Sequence, residues 1–173
     1  MSEQKVGIEY FAGFFDGEGC VSIRRLRFKR KNGLCISYQI QAQTTNTNIA
    51  VLNVFCERFG GRVDFKTVPK KEGVKPCFTW RVNCNKAMAF LNAIRPFLIV
   101  KCEDVDIVLN FDLMRRKKMI ERNKTKLKYS DQTISDLDTE RHKLISRRNK
   151  GLISVLSPYV FSNGRYNMKD AIL

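Results

Sequence analysis

Apolar and polar positions follow two periods in turn along the N-terminal two-thirds of the chain. Near the start, Ile8, Phe11 and Phe15 share one side of a helical wheel. Tyr10, Gly13, Phe14 and Gly17 fall at i, i+3, i+4 and i+7 on another. This spacing predicts a first helix over 2–17, with Ser2 as its N-cap. A two-residue period follows over 20–30, where Val21 and Ile23 alternate with Ser22 and Arg24. The phase slips at Arg24-Arg25, beyond which Leu26 and Phe28 are the apolar members, and a bulge or strong bend explains the slip. Asn32-Gly33 signals a hairpin turn. Over 34–44, Leu34, Ile36, Tyr38, Ile40 and Ala42 take one face of a strand, and Cys35, Ser37, Gln39, Gln41 and Gln43 take the other.

The alternation of periods continues. A second helix is expected over about 47–59, stopped by Gly60-Gly61. A strand over about 62–69 sets Val63 and Phe65 against Arg62, Asp64 and Lys66. A fourth strand sets Phe78, Trp80 and Val82 against Thr79 and Arg81. Asn85 caps a third helix over 86–95. A longer helix runs through Val105, Val108, Leu109 and Leu113 into a basic run, and 129–149 forms a highly charged helix. The order α-ββ-α-ββ-α with C-terminal helices defines an α+β fold whose antiparallel strands bury one face under helices. The opposite faces carry Ser22, Arg24, Gln39, Gln41, Lys66, Thr79 and Arg81. Such a curved face suits a nucleic-acid duplex, since glutamine amides match base edges and two-stranded ribbons fit the major groove. A solvated polar face is the plainer alternative.

Charge sharpens that choice. The 173 residues carry a formal charge of +15, which points to nucleic acid or an anionic surface. The distribution is uneven: residues 1–20 are net acidic, while Arg24, Arg25, Arg27, Lys29 and Arg30 crowd the next ten. Further basic blocks run from Arg115 to Lys128 and through Arg141, Lys143, Arg147, Arg148 and Lys150. No apolar run is long enough to span a membrane, and residues 1–5 lack a secretory or transit character. The six cysteines form no CxxC or Cys/His cluster, and His142 is the one histidine. They read as reduced, mostly buried thiols of an intracellular protein, with organelle and cytoplasm both open.

The first helix stands out against this basic background. Two interior glycines one turn apart each cost about 1 kcal/mol relative to alanine, a cost offset if another backbone approaches closely. Asp16 and Glu18 lie at its C-terminal end, where the macrodipole is already negative, so a cation would relieve the conflict. Carboxylate and carbonyl oxygens suit Mg²⁺ or Ca²⁺. A buried helix with a glycine C-cap and two solvated acids is an equally open reading of the same residues.

The stretch Phe11-Ala12-Gly13-Phe14-Phe15-Asp16-Gly17-Glu18-Gly19 resembles the motif of LAGLIDADG homing endonucleases. The Phe59-Gly60-Gly61 stop and the segment Arg95-Pro96-Phe97-Leu98 to Lys101 look like that family too, over about residues 6–120. The resemblance implies an αββαββα core with a saddle-shaped antiparallel sheet over 1–125, and a basic helical extension of the same domain over 126–173. It implies a homodimer that meets through Tyr10, Gly13, Phe14 and Gly17. Glu18, with the main-chain oxygen of Gly17, would hold Mg²⁺, for which Ca²⁺ or Mn²⁺ can substitute; Asp16 would be structural. Many members have aspartate where this chain has Glu18. Lys101 is implied beside the scissile phosphate, and Thr44, Gln43 and Asn48 as the residues that order water. The implied activity is metal-assisted, site-specific hydrolysis of double-stranded DNA at a long pseudo-palindromic site, leaving 3′ overhangs. Ser22, Arg24, Gln39, Gln41, Lys66, Thr79 and Arg81 would contact DNA, and the C-terminal cations would neutralise its backbone. An RNA-binding maturase acting on intron RNA and a DNA-binding protein without cleavage are the competing functions.

Overall fold

The computed structural model describes residues 6–30, 33–67, 75–125 and 129–156. The elements are α1 (Ile8–Glu18), β1 (Gly19–Arg30), β2 (Gly33–Asn46), α2 (Ile49–Phe59), β3 (Arg62–Thr67), β4 (Cys77–Asn83), α3 (Cys84–Ile94), a short 3₁₀ turn (Arg95–Phe97), α4 (Cys102–Thr125) and α5 (Asp131–Leu156). The α+β order is the one the periodicity predicts. Boundaries differ at the caps. α1 begins at Ile8 after an extended Gly7, and Ser2 lies outside the described residues. Asn85 does not cap α3: Asn83 holds the N-cap position, and the Asn85 side chain accepts from Arg116.

The strands form one antiparallel sheet in the order β1-β2-β4-β3. The β1–β2 register runs without interruption from Gly19↔Thr44 to Arg30↔Gly33, so β1 contains no bulge. The slip in its pattern has a different cause. Arg25 takes a core-side position and meets Asp138 of α5 at 3.0 Å, which leaves Leu26 and Phe28 on the face of Ser22 and Arg24. The irregularity lies in β3 instead, between Phe65 and Thr67.

Every strand residue in the core shares one parity: Val21 and Ile23, Tyr38, Ile40 and Ala42, Trp80 and Val82. Helices supply the other half, led by Phe11 and Phe15 of α1, Phe55 of α2 and Phe90 of α3. Their rings meet edge-on, with Phe11 4.8 Å from Phe55 and Phe15 5.1 Å from Phe90, a geometry that places ring edges on ring faces. The glycine stop after α2 is steric. Gly61 has φ +92°, and a Cβ there would lie 2.4 Å from the Arg81 carbonyl oxygen. Trp80 locks the same turn by donating to the Gly60 carbonyl at 2.8 Å.

The C-terminal helices complete this core. α4 buries Val105, Val108 and Phe111, whereas Leu113, expected inside, is 68% exposed because the helix turns it outward. Arg95 closes the turn before α4 by gripping Asp106 with two nitrogens at 2.5 Å each. α5 buries Leu137 and Leu144, and Ile134 accepts from the Tyr38 hydroxyl at 3.3 Å. It also covers the outer edge of β1: Arg141 donates to the Ile23 carbonyl at 3.0 Å, and Arg148 donates to that of Val21. The six cysteines are all free; five are half-buried and Cys84 is exposed, so they are less buried than their apolar character predicts. Among the described residues no helix is long and apolar enough to cross a membrane.

Candidate nucleic-acid interface and active site

The two acids at the end of α1 have separate fates. The Asp16 carboxylate accepts three backbone N–H bonds, from Ile99 and Val100 at 2.9 Å and from Lys101 at 2.8 Å. Burial pushes its pKa up, but those three donors and the Lys101 charge outweigh burial and hold the carboxyl below its ordinary value. Asp16 is thereby a strut between α1 and the approach to α4. The Lys101 ammonium donates to the Asp16 carbonyl and, at 3.3 Å, to that of Gly17. A cation does sit on the negative end of α1, and it is a side chain of the same protein.

Glu18 is different. Its side chain is exposed and makes no hydrogen bond or ion pair with any described residue. It lines an open cavity of about 570 Å³ together with Cys20, Gln43 and Lys66. Gln43 reaches this place because it pairs with Cys20 on one side and Arg81 on the other, on the polar parity of the sheet. Thr44 does not reach it. One residue further on, it turns to the core, is 1% exposed and leaves its hydroxyl without a partner. Asn48 is occupied as the N-cap of α2, where its side chain accepts from the Ala50 N–H at 3.0 Å.

The polar face is divided into free and committed groups. Arg24 is exposed with no described partner, and Ser22 and Gln39 are half-buried. Gln41 is 6% exposed and donates to Asn83 at 2.9 Å. Thr79 is 3% exposed, with its hydroxyl 3.0 Å from that of Thr45. Arg81 reaches Asp64 at 3.3 Å, and Asp64 also binds Arg62 at 2.9 Å. Asn83, Thr45 and Asp64 thus organise this face. Their strand parity is visible in the sequence; their pairing across strands is not.

Among the described residues, nothing covers the outer side of α1. Tyr10 is 47% exposed, and a Cβ added at Gly13 or Gly17 would meet nothing within 4 Å. Phe14 leans inward, its ring centroid 5.5 Å from that of Phe55. The C-terminal arginines, expected as free phosphate contacts, are engaged internally: Arg147 binds Glu103 at 2.7 Å, and Arg148 binds Asp104 at 3.3 Å. Arg25, Arg141 and Arg148 line a smaller cavity of about 380 Å³ between β1 and α5, each with a partner already. Among the described residues no group of three or more His, Cys, Asp or Glu side chains could enclose a metal, so any ion at Glu18 draws further ligands from elsewhere.

The family model described as LAGLIDADG endonuclease matches residues 11–101, more than half of the chain. No curated protein matches it. Among solved structures, the archaeal intron-encoded homing endonuclease I-Vdi141I complexed with DNA is similar with a TM-score of 0.59 at 17% identity, over 95% of this chain and 89% of that one. The homing endonuclease I-CvuI, in complex with its target in the presence of calcium, gives 0.56 at 14% identity, over 79% and 78%. I-LtrWI bound to target DNA gives 0.56 at 20% identity; the chain covers 45% of its length.

Proposed function

From the chain's membership of the LAGLIDADG endonuclease family, we propose that it is a homodimeric, divalent-metal-dependent enzyme that cuts both strands of a long pseudo-palindromic DNA site, leaving 3′ overhangs. The observation that carries this reading is the Glu18 carboxylate on its cavity, without a partner among the described residues, at the end of a helix whose outer glycine face no described residue covers. The hard oxygens of Glu18 fit Mg²⁺, Ca²⁺ or Mn²⁺. One carboxylate per protomer suits a site completed by the partner protomer and by phosphate oxygens. A bound divalent ion supplies Lewis-acid stabilisation of phosphate charge and a more acidic water.

The chain's own residues do the rest. Glu18 holds negative charge at the cavity mouth. The Gln43 amide, with both a donor and an acceptor, orients water beside it. Lys66 on the cavity wall and Lys101 at the helix end offset the charge of the scissile phosphate. The free cation Arg24, with Ser22 and Gln39, faces the duplex along β1 and β2. Two copies of α1 packed through Gly13 and Gly17 make an isologous seam and bring the two Glu18 side chains together. A basic C-terminal extension could also serve RNA binding, but three of its arginines, Arg141, Arg147 and Arg148, are engaged within the protein.

The test is cleavage of a plasmid that carries the uninterrupted insertion site of the gene, with Mg²⁺ or with EDTA. Mg²⁺-dependent linearisation is expected; tight binding without cutting overturns the nuclease assignment. Glu18→Gln should lower the cutting rate by about 10²-fold or more while DNA affinity stays within a few-fold in a gel-shift titration.

A further inference from the structure

We propose that the cavity between β1 and α5 is a phosphate-binding site, separate from the cavity of Glu18 and independent of whether the chain cuts DNA.

Four arginines line this cavity, Arg24 and Arg25 from β1 and Arg141 and Arg148 from α5, and no acidic side chain does. The two on α5 share a helix face because they lie seven residues apart, with Leu144 and Ile145 between them on the same wall. Two of the four charges are met by acids that are not part of the wall: Asp138 lies 3.0 Å from Arg25, and Asp104 lies 3.3 Å from Arg148. Arg24 and Arg141 have no carboxylate partner among the described residues. Two uncompensated positive charges therefore share a space of about 380 Å³. Like charges held that close repel, and an anion between them relieves the repulsion.

The existing partners leave donors over. A guanidinium carries five N–H groups. Arg141 spends its Nε on the Ile23 carbonyl and keeps both terminal nitrogens, and Arg24 keeps all of its donors. The main chain adds one more. β1 is an edge strand, and a residue in an antiparallel ladder turns its N–H and its C=O to the same side. The Ile23 carbonyl faces α5, so its N–H does too, on the cavity wall, and no described group accepts from it. Ser22 supplies a hydroxyl beside it.

This donor set selects the ligand. Planar guanidinium forks match pairs of oxygens on carboxylate or phosphate. Two forks, a main-chain N–H and a hydroxyl exceed what the two oxygens of a carboxylate accept, whereas a phosphate offers oxygens in several directions. A free phosphate ion and a phosphodiester of a nucleic-acid strand both present this chemistry. Bound there, the anion bridges Arg24 of β1 and Arg141 of α5 and ties the helix more firmly to the edge of the sheet.

The experiment is calorimetric titration of the full chain with inorganic phosphate at constant ionic strength. Saturable binding of one ion per chain is expected. Arg24→Gln, which loses no described internal partner, should weaken it about tenfold or more. Arg27→Gln removes the same charge from an exposed position on the same strand that is not on the cavity wall, and it should leave the affinity within about twofold. Absence of saturable binding, or equal losses in the two variants, overturns the proposal, and neither result touches the endonuclease reading. A second titration, in excess short duplex DNA, finds the source of the phosphate. Displacement of the ion upholds the site and assigns it to a strand phosphodiester; simultaneous binding upholds it and assigns it to a free phosphate.

Discussion

Asp16 and Glu18 are two residues apart and chemically alike, yet one is consumed by structure and the other is free. Asp16 joins the end of α1 to the approach to α4 through three N–H donors. Its folded pKa lies below the ordinary 3.8, so its contribution to stability is complete above that value and is lost as pH falls through the lower, folded value. Asp16→Asn should cost about 1–2 kcal/mol at neutral pH, and thermal melts should show a shallower acid loss below pH 3.8 than in the wild type. A variant that keeps the wild-type acid limb would refute this role. The division of labour between the acids was only partly legible. The motif marks both, but the donors to Asp16 lie 83 to 85 residues away, and no local pattern announces them. The offset between Thr44 and Gln43 is the opposite case. Strict alternation already puts Gln43 on the polar face with Gln39 and Gln41, and Thr44 on the core side with Ile40 and Ala42.

At the scale of elements, helices and strands follow from their periods, and errors arise where an element is completed by a distant one. β1 shows this best. Its phase slip is visible, but its cause is Asp138 on α5, 113 residues beyond Arg25. Side-chain exposures of 19% and 22% make this pair nearly interior, so removing one partner strands the other. Asp138→Ala should destabilise the protein by about 1–3 kcal/mol in urea titrations. The double change Arg25→Met, Asp138→Leu should recover most of the loss, because an apolar pair needs no partner charge. If the double variant is as unstable as the single, the pair is not what docks α5 on β1. The exposed Leu113 has a similar origin: helical spacing from Val105 and Val108 fits two rotations, and packing against the rest of the protein selects the one that buries Phe111.

For the whole molecule, the proposed dimer makes a test with opposite signs in protomer and assembly. Gly13 faces open space within one chain, so a side chain there meets no obstacle. Gly13→Leu should leave the protomer folded and add up to about 1 kcal/mol of helix propensity, yet block assembly. Light scattering should report a monomer, and a monodisperse dimer would exclude close α1–α1 packing. The charge of +15 was legible at once as attraction to a polyanion; which cations are free was not, because the arginines of α5 are bound within the protein. Those arginines also impose an order on biosynthesis. The first strand of the sheet receives the donors for its outer edge from a helix whose Arg141 is made 118 residues after Ile23. At about 5–20 residues per second, that edge waits roughly 6–24 s on the ribosome with its carbonyls unsatisfied by the protein itself. During that interval β1 can pair with another nascent chain, so the nascent protein is most vulnerable to aggregation before α5 arrives.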